Sequence, residues 1–309
     1  MAAHRTLAMA GAVAIGVLTA VQARVNGSLG AALTDGFVAA AVSFGSGLLI
    51  LVALSAALPA GRRGVVTLAH GLRLRTLPVW MLVGGLAGAF SVATQSLTVA
   101  VIGVSLFTVG MVAGQAVSAL VLDRIGYGPA GVVAVTVSRV VGAAIAVAAV
   151  LLSVVGSPVN SVPWWMLLLP FLVGAGIAWQ QATNGRLRQR VGSALTATAV
   201  NFAGGTIVLL VAAAVHVAIV GAPAAFPAEP WLYIGGACGV AYIFIGAAVV
   251  PYTGVLLMGL GAVVGQLLTS VLLDALWPTA ASPGLLTGLA VSAVALLGAA
   301  IAVFPRRRR

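Results

Sequence analysis

The chain has 309 residues, of which 62% are hydrophobic and 6% charged, with a formal net charge of +11. Water-soluble globules carry about 25% charged residues, so this composition defines an integral membrane protein. All fifteen basic residues are Arg, the acids are Asp35, Asp123, Glu229 and Asp274, and no basic stretch is interleaved with aromatics; the positive balance therefore reads as helix orientation and not as nucleic-acid binding.

Arg5, the apolar run after it and the triplet Val-Gln-Ala together look like a signal peptide. The residues that follow recur inside the chain at Gln180, where nothing could be removed, so the first run is read as a retained helix over 7–27. A spanning helix needs about 20 apolar residues. Nine further segments of that kind are predicted over 36–58, 78–99, 103–122, 135–156, 163–184, 194–219, 231–250, 254–273 and 284–304. Residues 61–76 read as an arginine loop, and the other connections as short. Cys238, the only cysteine, lies in an apolar run; it excludes disulfides within one chain and reads as a buried spectator.

Cytoplasmic loops of membrane proteins carry the excess of basic residues. With the N-terminus in the cytoplasm, Arg5, Arg62, Arg63, Arg73, Arg75, Arg124, Arg186, Arg188, Arg190 and Arg306 to Arg309 all fall inside, thirteen in number, and only Arg24 falls outside. Both termini are thus expected to be cytoplasmic in the cell membrane. Arg139 lies within or at the edge of the fifth helix.

Polar residues are scarce in such a chain, and they repeat. Gln-x-x-x-Asn-Gly-x-Leu occurs at Gln22 and at Gln180, and the same offset carries Ser43-Phe-Gly-Ser-Gly onto Asn201-Phe-Ala-Gly-Gly. Beyond a shorter loop, the Trp-x-x-x-Gly-Gly-x-x-Gly at Trp80 recurs at Trp231, the Gly-Gln-x-x-Ser/Thr-x-x-x-x-Asp at Gly114 recurs at Gly265, and Gly-Ala-Ala-Ile-Ala-Val appears at Gly142 and Gly298. Each half therefore holds five helices. An odd number sends the second half into the membrane from the opposite side, the inverted repeat of secondary transporters, whose substrate sits near the midplane between repeats. The expected division is an N-terminal repeat over 1–156, an external linker over 157–162, and an inverted C-terminal repeat over 163–309 that ends in an arginine-rich tail.

This combination of motifs, over roughly residues 10 to 304, resembles the YdcZ-like family of the drug/metabolite transporter superfamily, with two five-helix copies fused. The resemblance implies an all-α fold of ten transmembrane helices, leans towards export, and implies little about substrate. The small drug exporters of that superfamily carry an essential Glu deep in helix 1. This chain has no carboxylate there, which argues against cation and proton exchange of that type.

Buried amides are costly without partners, so they face the bundle or a wet cavity. Gln115 and Gln266 fall about eleven residues into their helices, close to mid-membrane, with Ser118 and Thr269 on the same face at i+3. They read either as solute contacts or as interhelical glue. Gln22 and Asn26, and likewise Gln180 and Asn184, share a face at i, i+4. The glutamines read as cavity lining, while Asn-Gly also suits a helix C-cap. Ser43, Asn201 and the unpaired Gln95 are weaker candidates for the same lining. Asp123 and Asp274, at helix ends, are read as solvated or capping residues, or alternatively as proton-responsive gates. Arg139 reads as interfacial and paired with Asp123, or as an anion ligand. Small-x-x-x-small pairs such as Gly84 and Gly88, Gly110 and Gly114, Gly235 and Gly239, and Gly261 and Gly265 read as packing seams.

The sequence holds no metal-binding cluster, no phosphate-cradling Gly-x-x-x-x-Gly-Lys and no nucleophile with a base at a recognisable spacing. Neither an enzyme nor a cofactor is expected. The expected partners are membrane lipids and a small-molecule solute, with monomer and homodimer both open. Amides and hydroxyls without a deep acid suit a neutral or zwitterionic solute moved by alternating access. The rival readings are a lipid or lipid-linked sugar flippase and a non-transporting membrane scaffold.

Overall fold

The computed structural model describes residues 2–129, 131–155, 163–279 and 282–303, with side chains described except at 2–5, 153–155, 247–257 and 303. The expected linker at 157–162 and the tail from residue 304 lie outside the described residues. The chain is built of helices: α1 Ala2–Leu33, α2 Gly36–Ala57, α3 Pro59–Arg73, α4 Gly85–Arg124, α5 Val137–Val155, α6 Trp164–Val191, α7 Ala194–Val220, α8 Gly235–Leu276 and α9 Leu285–Val303. Short 3-10 turns, Val79–Leu82 and Pro230–Tyr233, lead into α4 and α8.

At 1.5 Å per residue, the 40 residues of α4 and the 42 of α8 would each extend roughly 60 Å, about twice the hydrocarbon thickness. Gly103, at φ +82° and ψ 164°, breaks α4 into two arms of spanning length. α8 holds two apolar stretches, Gly235–Gly246 and Met258–Leu276, which are its first and second arms; counting two arms each in α4 and α8, the helices supply the ten crossings of two inverted five-helix repeats. Their outer faces carry exposed Leu49, Val52, Ile207, Val211, Ile219 and Leu286, the surface that lipid covers.

Two sequence expectations change. The arginine stretch is a helix, α3, with Pro59 in its first turn, where the missing N–H costs nothing. Gly61 and Gly64 let one face of it approach Ser55, Ser193, Leu195 and Thr196, and Arg62, Arg63 and Arg73 point outward. The Asn-Gly pairs do not end their helices either. α1 runs to Leu33 and α6 to Val191, where Gly192 at φ +68° forms the actual C-cap. Gly27 instead gives room for Val99 and Ala100, and Gly185 for Pro129.

The repeats interlock. α1 packs on α8, its counterpart α6 packs on α4, α2 packs on α7, and α5 packs on α9. At the α1–α8 crossing, Gly16 abuts the Ala262 carbonyl and Gly265 abuts that of Val13. At the α6–α4 crossing, the equivalent Gly174 abuts the Met111 carbonyl and Gly114 that of Phe171. Gly142 and Gly298, from the verbatim repeat, face each other's carbonyls. Phe44 and Phe202, also equivalent, stack with ring centroids 4.7 Å apart. These self-paired motifs mark the pseudo-twofold axis.

The arginines of α3, of the last turn of α4 and of the last turns of α6 gather at one end of the bundle. α3 packs on α6 and α7, and an Arg186 guanidinium N–H donates to the Gly126 carbonyl (2.7 Å). Arg24 is elsewhere, half-buried in α1 near Asp274.

Candidate functional site

Each repeated polar phrase meets the Gly-Gly-x-x-Gly of the other repeat. In one cluster, Gln22 Nε2 donates to the Gly235 carbonyl (2.9 Å) and Asn26 Nδ2 donates to Gln95 Oε1 (2.6 Å). Gly235 and Gly239 form its floor: a Cβ on Gly235 would collide with Asn26 Oδ1 and stand 2.7 Å from Ser43 Oγ, and one on Gly239 would stand 2.8 Å from Gln22 Nε2. In the other, Asn201 Oδ1 accepts from both Gln180 Nε2 (2.9 Å) and Asn184 Nδ2 (3.1 Å). Here Gly84 and Gly88 form the floor, with Asn184 Oδ1 and Gln180 Nε2 each 2.6 Å from where a Cβ would stand. Glycine at these four positions is therefore required by close approach of an amide, in addition to any helix seam.

The clusters lie on either side of the Phe44–Phe202 stack. A Cβ on Gly88 would come 2.9 Å from the Phe44 ring, and one on Gly239 would come 3.2 Å from that of Phe202. Both phenylalanines stand inside the repeated motifs, and an aromatic at the same position of both copies is the sequence signal for the stack.

The copies differ in two respects. Ser43 stands where the other cluster has Asn201, and a hydroxymethyl is too short to bridge two amides. Asn26 Oδ1 and Ser43 Oγ are consequently without hydrogen-bond partners among the described residues, although Asn26 is 1% and Ser43 2% exposed. Gln95 takes up the Asn26 amide, and its counterpart is Gly246. Both clusters end at the N-terminus of a helix, α4 or α8, where the free N–H groups and the helix dipole favour negative charge. Amides, hydroxyls and such N–H groups can bind neutral polar groups or a carboxylate by hydrogen bonding.

Gln115 and Gln266 are not in these clusters. They lie at the glycine crossings: a Cβ on Gly174 would stand 2.8 Å from the Gln115 backbone N, and one on Gly16 2.5 Å from that of Gln266. Gly16 and Gly174 precede Gln22 and Gln180 by six residues, or about 9 Å along the helix. Neither side chain has a hydrogen bond among the described residues. Ser118 donates to the Ala175 carbonyl (3.2 Å), while Thr269 is half-buried without a partner among the described residues.

The two aspartates part ways. Asp274 is buried and its carboxylate accepts from the Val104 (2.8 Å) and Ser105 (2.7 Å) backbone N–H groups, so it caps the second arm of α4 just after the Gly103 break. Thr279 Oγ1 donates to the Val101 carbonyl on the near side of that break (3.1 Å). Asp274 is thus neither solvated nor a cap for the segment that follows it. Asp123 forms an ion pair with Arg139, in the first turn of α5, and both are partly exposed. His216 Nδ1 lies 3.0 Å from Asp35 Oδ2, the carboxylate that caps α2. Among the described residues, no group of three His, Cys, Asp or Glu is placed to hold a metal.

A bundle of ten crossings in two interlocked inverted repeats, with paired polar clusters on either side of its pseudo-twofold axis, defines the membrane-transporter class. A family model described as "Putative inner membrane exporter, YdcZ" matches the chain twice, over residues 7–152 and 159–303. The chain belongs to this family and is a multi-pass membrane protein of the drug/metabolite transporter type. No curated protein matches it. A solved structure titled only "Crystal structure of protein" is similar over 96% of both chains, with a TM-score of 0.50 at 20% identity, a likeness of fold.

Proposed function

We propose that the chain exports a small polar solute, neutral or zwitterionic, by alternating access, with the two amide clusters as its two gates and the arginine-rich end in the cytoplasm. The observation that carries this reading is the equivalence of the clusters about the Phe44–Phe202 stack. Two copies of one closure on opposite sides of a barrier let one open while the other stays shut. Gln115 on α4 and Gln266 and Thr269 on α8, unpartnered among the described residues, are the proposed solute contacts between gates.

The moving bodies are mixed, not one repeat against the other. Sliding 1–156 as a unit over 163–309 would tear apart the Gly16–Gly265 and Gly114–Gly174 crossings, where backbones touch. The units that move are α1 with the second arm of α8, and α6 with the second arm of α4. Asp274 and the Asp123–Arg139 pair serve as anchors of those arms, and coupling to protons is assigned to neither.

Efflux from proteoliposomes, measured across amino acids, nucleosides, sugars, polyamines and guanidinium compounds, tests the reading. One class should leave the wild type at least roughly tenfold faster than a folded Gln115→Leu, Gln266→Leu protein, a factor that corresponds to about 1.4 kcal/mol. Equal flux in both proteins removes the glutamines from the path. Lipid scrambling with no solute flux would replace the exporter by a flippase.

A further inference from the structure

At the arginine-rich end, a cavity of about 220 Å³ opens between the last turns of α6, the segment after α4 and the 3-10 turn before α4. Met81, Gly128, Pro129, Gly131, Arg186, Gln189 and Arg190 line it. Arg186 and Arg190 stand one helical turn apart on the same face of α6, an arrangement in which like charges repel. Arg186 is held in place: its guanidinium donates to the Gly126 carbonyl and lies over the Trp80 and Tyr127 rings, 5.7 and 5.5 Å from their centroids. Arg190 is exposed and makes no hydrogen bond or ion pair among the described residues. A position in the last turn explains one arginine there through the helix dipole. It does not explain two that converge on one hollow.

The chain has four acidic side chains, and none lines this cavity. Asp35 caps α2 and meets His216, Asp274 caps the second arm of α4, Asp123 is paired with Arg139, and Glu229 precedes the turn that leads into α8. No carboxylate side chain of the chain is left to neutralise the pair. The rest of the lining is Met81, small glycine and proline backbone that leaves room for a compact group, and Gln189, whose amide already donates to the Pro129 carbonyl (3.4 Å), so the two guanidinium groups are its cationic donors. From this we infer that the cavity is an oxyanion site, taking a phosphate or carboxylate group between Arg186 and Arg190. Arginine suits such a ligand because its planar fork binds two oxygens at once. The inference rests on the charge of the cavity and does not depend on transport. The phosphate can belong to a free solute or to the headgroup of an anionic lipid.

Thermal unfolding of the purified protein in phosphatidylcholine nanodiscs separates these sources. One arm titrates inorganic phosphate against sodium chloride of equal ionic strength. The second omits phosphate and replaces part of the phosphatidylcholine with phosphatidylglycerol. Arg190→Gln removes the unpartnered cation without touching the Arg186 contacts, and Arg73→Gln on α3 is the charge-matched control. A saturable rise of about 3 °C, kept in Arg73→Gln and lost in Arg190→Gln, is expected in at least one arm, and the arm that responds names the source. No rise in either arm, or equal rises in wild type and Arg190→Gln, would overturn the site.

Discussion

Asp274→Ala should leave little folded protein. Its carboxylate holds two backbone N–H groups at the start of the second arm of α4, in a buried position where no water replaces it. Hydrogen bonds to a charged group contribute about 1.5–3 kcal/mol each, and orphaned donors add a desolvation cost. A loss of about 3–5 kcal/mol is expected, large against the marginal stability of most folds. The Gly103 break loses its support from the same change, since Asp274 Oδ2 stands 2.8 Å from where a Cβ on that glycine would be. The equivalent Asp123→Ala removes a partly exposed ion pair, worth about 0–1 kcal/mol. Thermal midpoints of the two variants in detergent check this: a wide gap is expected, with Asp274→Ala the lower, and equal midpoints would refute the capping role.

Asn201→Leu is the second large effect. Asn201 Oδ1 is the shared acceptor for Gln180 and Asn184, so its loss strands two amide donors at once. At about 1–3 kcal/mol per unsatisfied buried group, and less for these half-buried amides, a destabilisation of about 2–4 kcal/mol is expected. Asn201→Ser, which copies Ser43 into this cluster, should cost less, because a small polar side chain leaves space for water. Transport separates the two effects. In the serine variant, with both gates unbridged, efflux should persist or rise while the leucine variant is inactive. A leucine variant with wild-type midpoint and wild-type efflux would show that the cluster is neither a structural nor a functional joint.

Much of the fold was legible because hydropathy and repetition report on crossings and symmetry. The offsets that carry Gln22 onto Gln180 and Gly84 onto Gly235 mark equivalent positions in the bundle. What they could not report is which equivalent positions touch. Gln22 and Asn26 meet Gly235 and not Gly84, because an inverted repeat pairs each phrase with the other copy's glycines. The Asn-Gly signal misled for a related reason: glycine serves a left-handed cap and a close helix contact equally well, and only the neighbours Val99 and Pro129 decide between them. Gln115 and Gln266 were placed near mid-membrane by counting residues, and counting says nothing of the glycine crossings beside them. Asp274 was read as a helix-end residue, which it is, but the end is buried against another helix's break. The arginine stretch hid a helix because Pro59, Gly61 and Gly64, read in isolation, punctuate a chain, whereas here they start α3 and pack it.

The central claim, that the two clusters are alternating gates, is met most directly by alkylation of single cysteines at the equivalent positions Gln22 and Gln180. Each is introduced as Gln22→Cys or Gln180→Cys into protein in which Cys238→Ala has removed the native thiol, and each is exposed to membrane-impermeant reagent from one side at a time. The account predicts that Gln180→Cys is reached only from the arginine-rich side and Gln22→Cys only from the opposite side, and that a transported solute which raises one rate lowers the other. Labelling of either cysteine from both sides under one condition, or no labelling of either under any condition, would contradict it, the first as a channel and the second as a bundle merely glued by its amides.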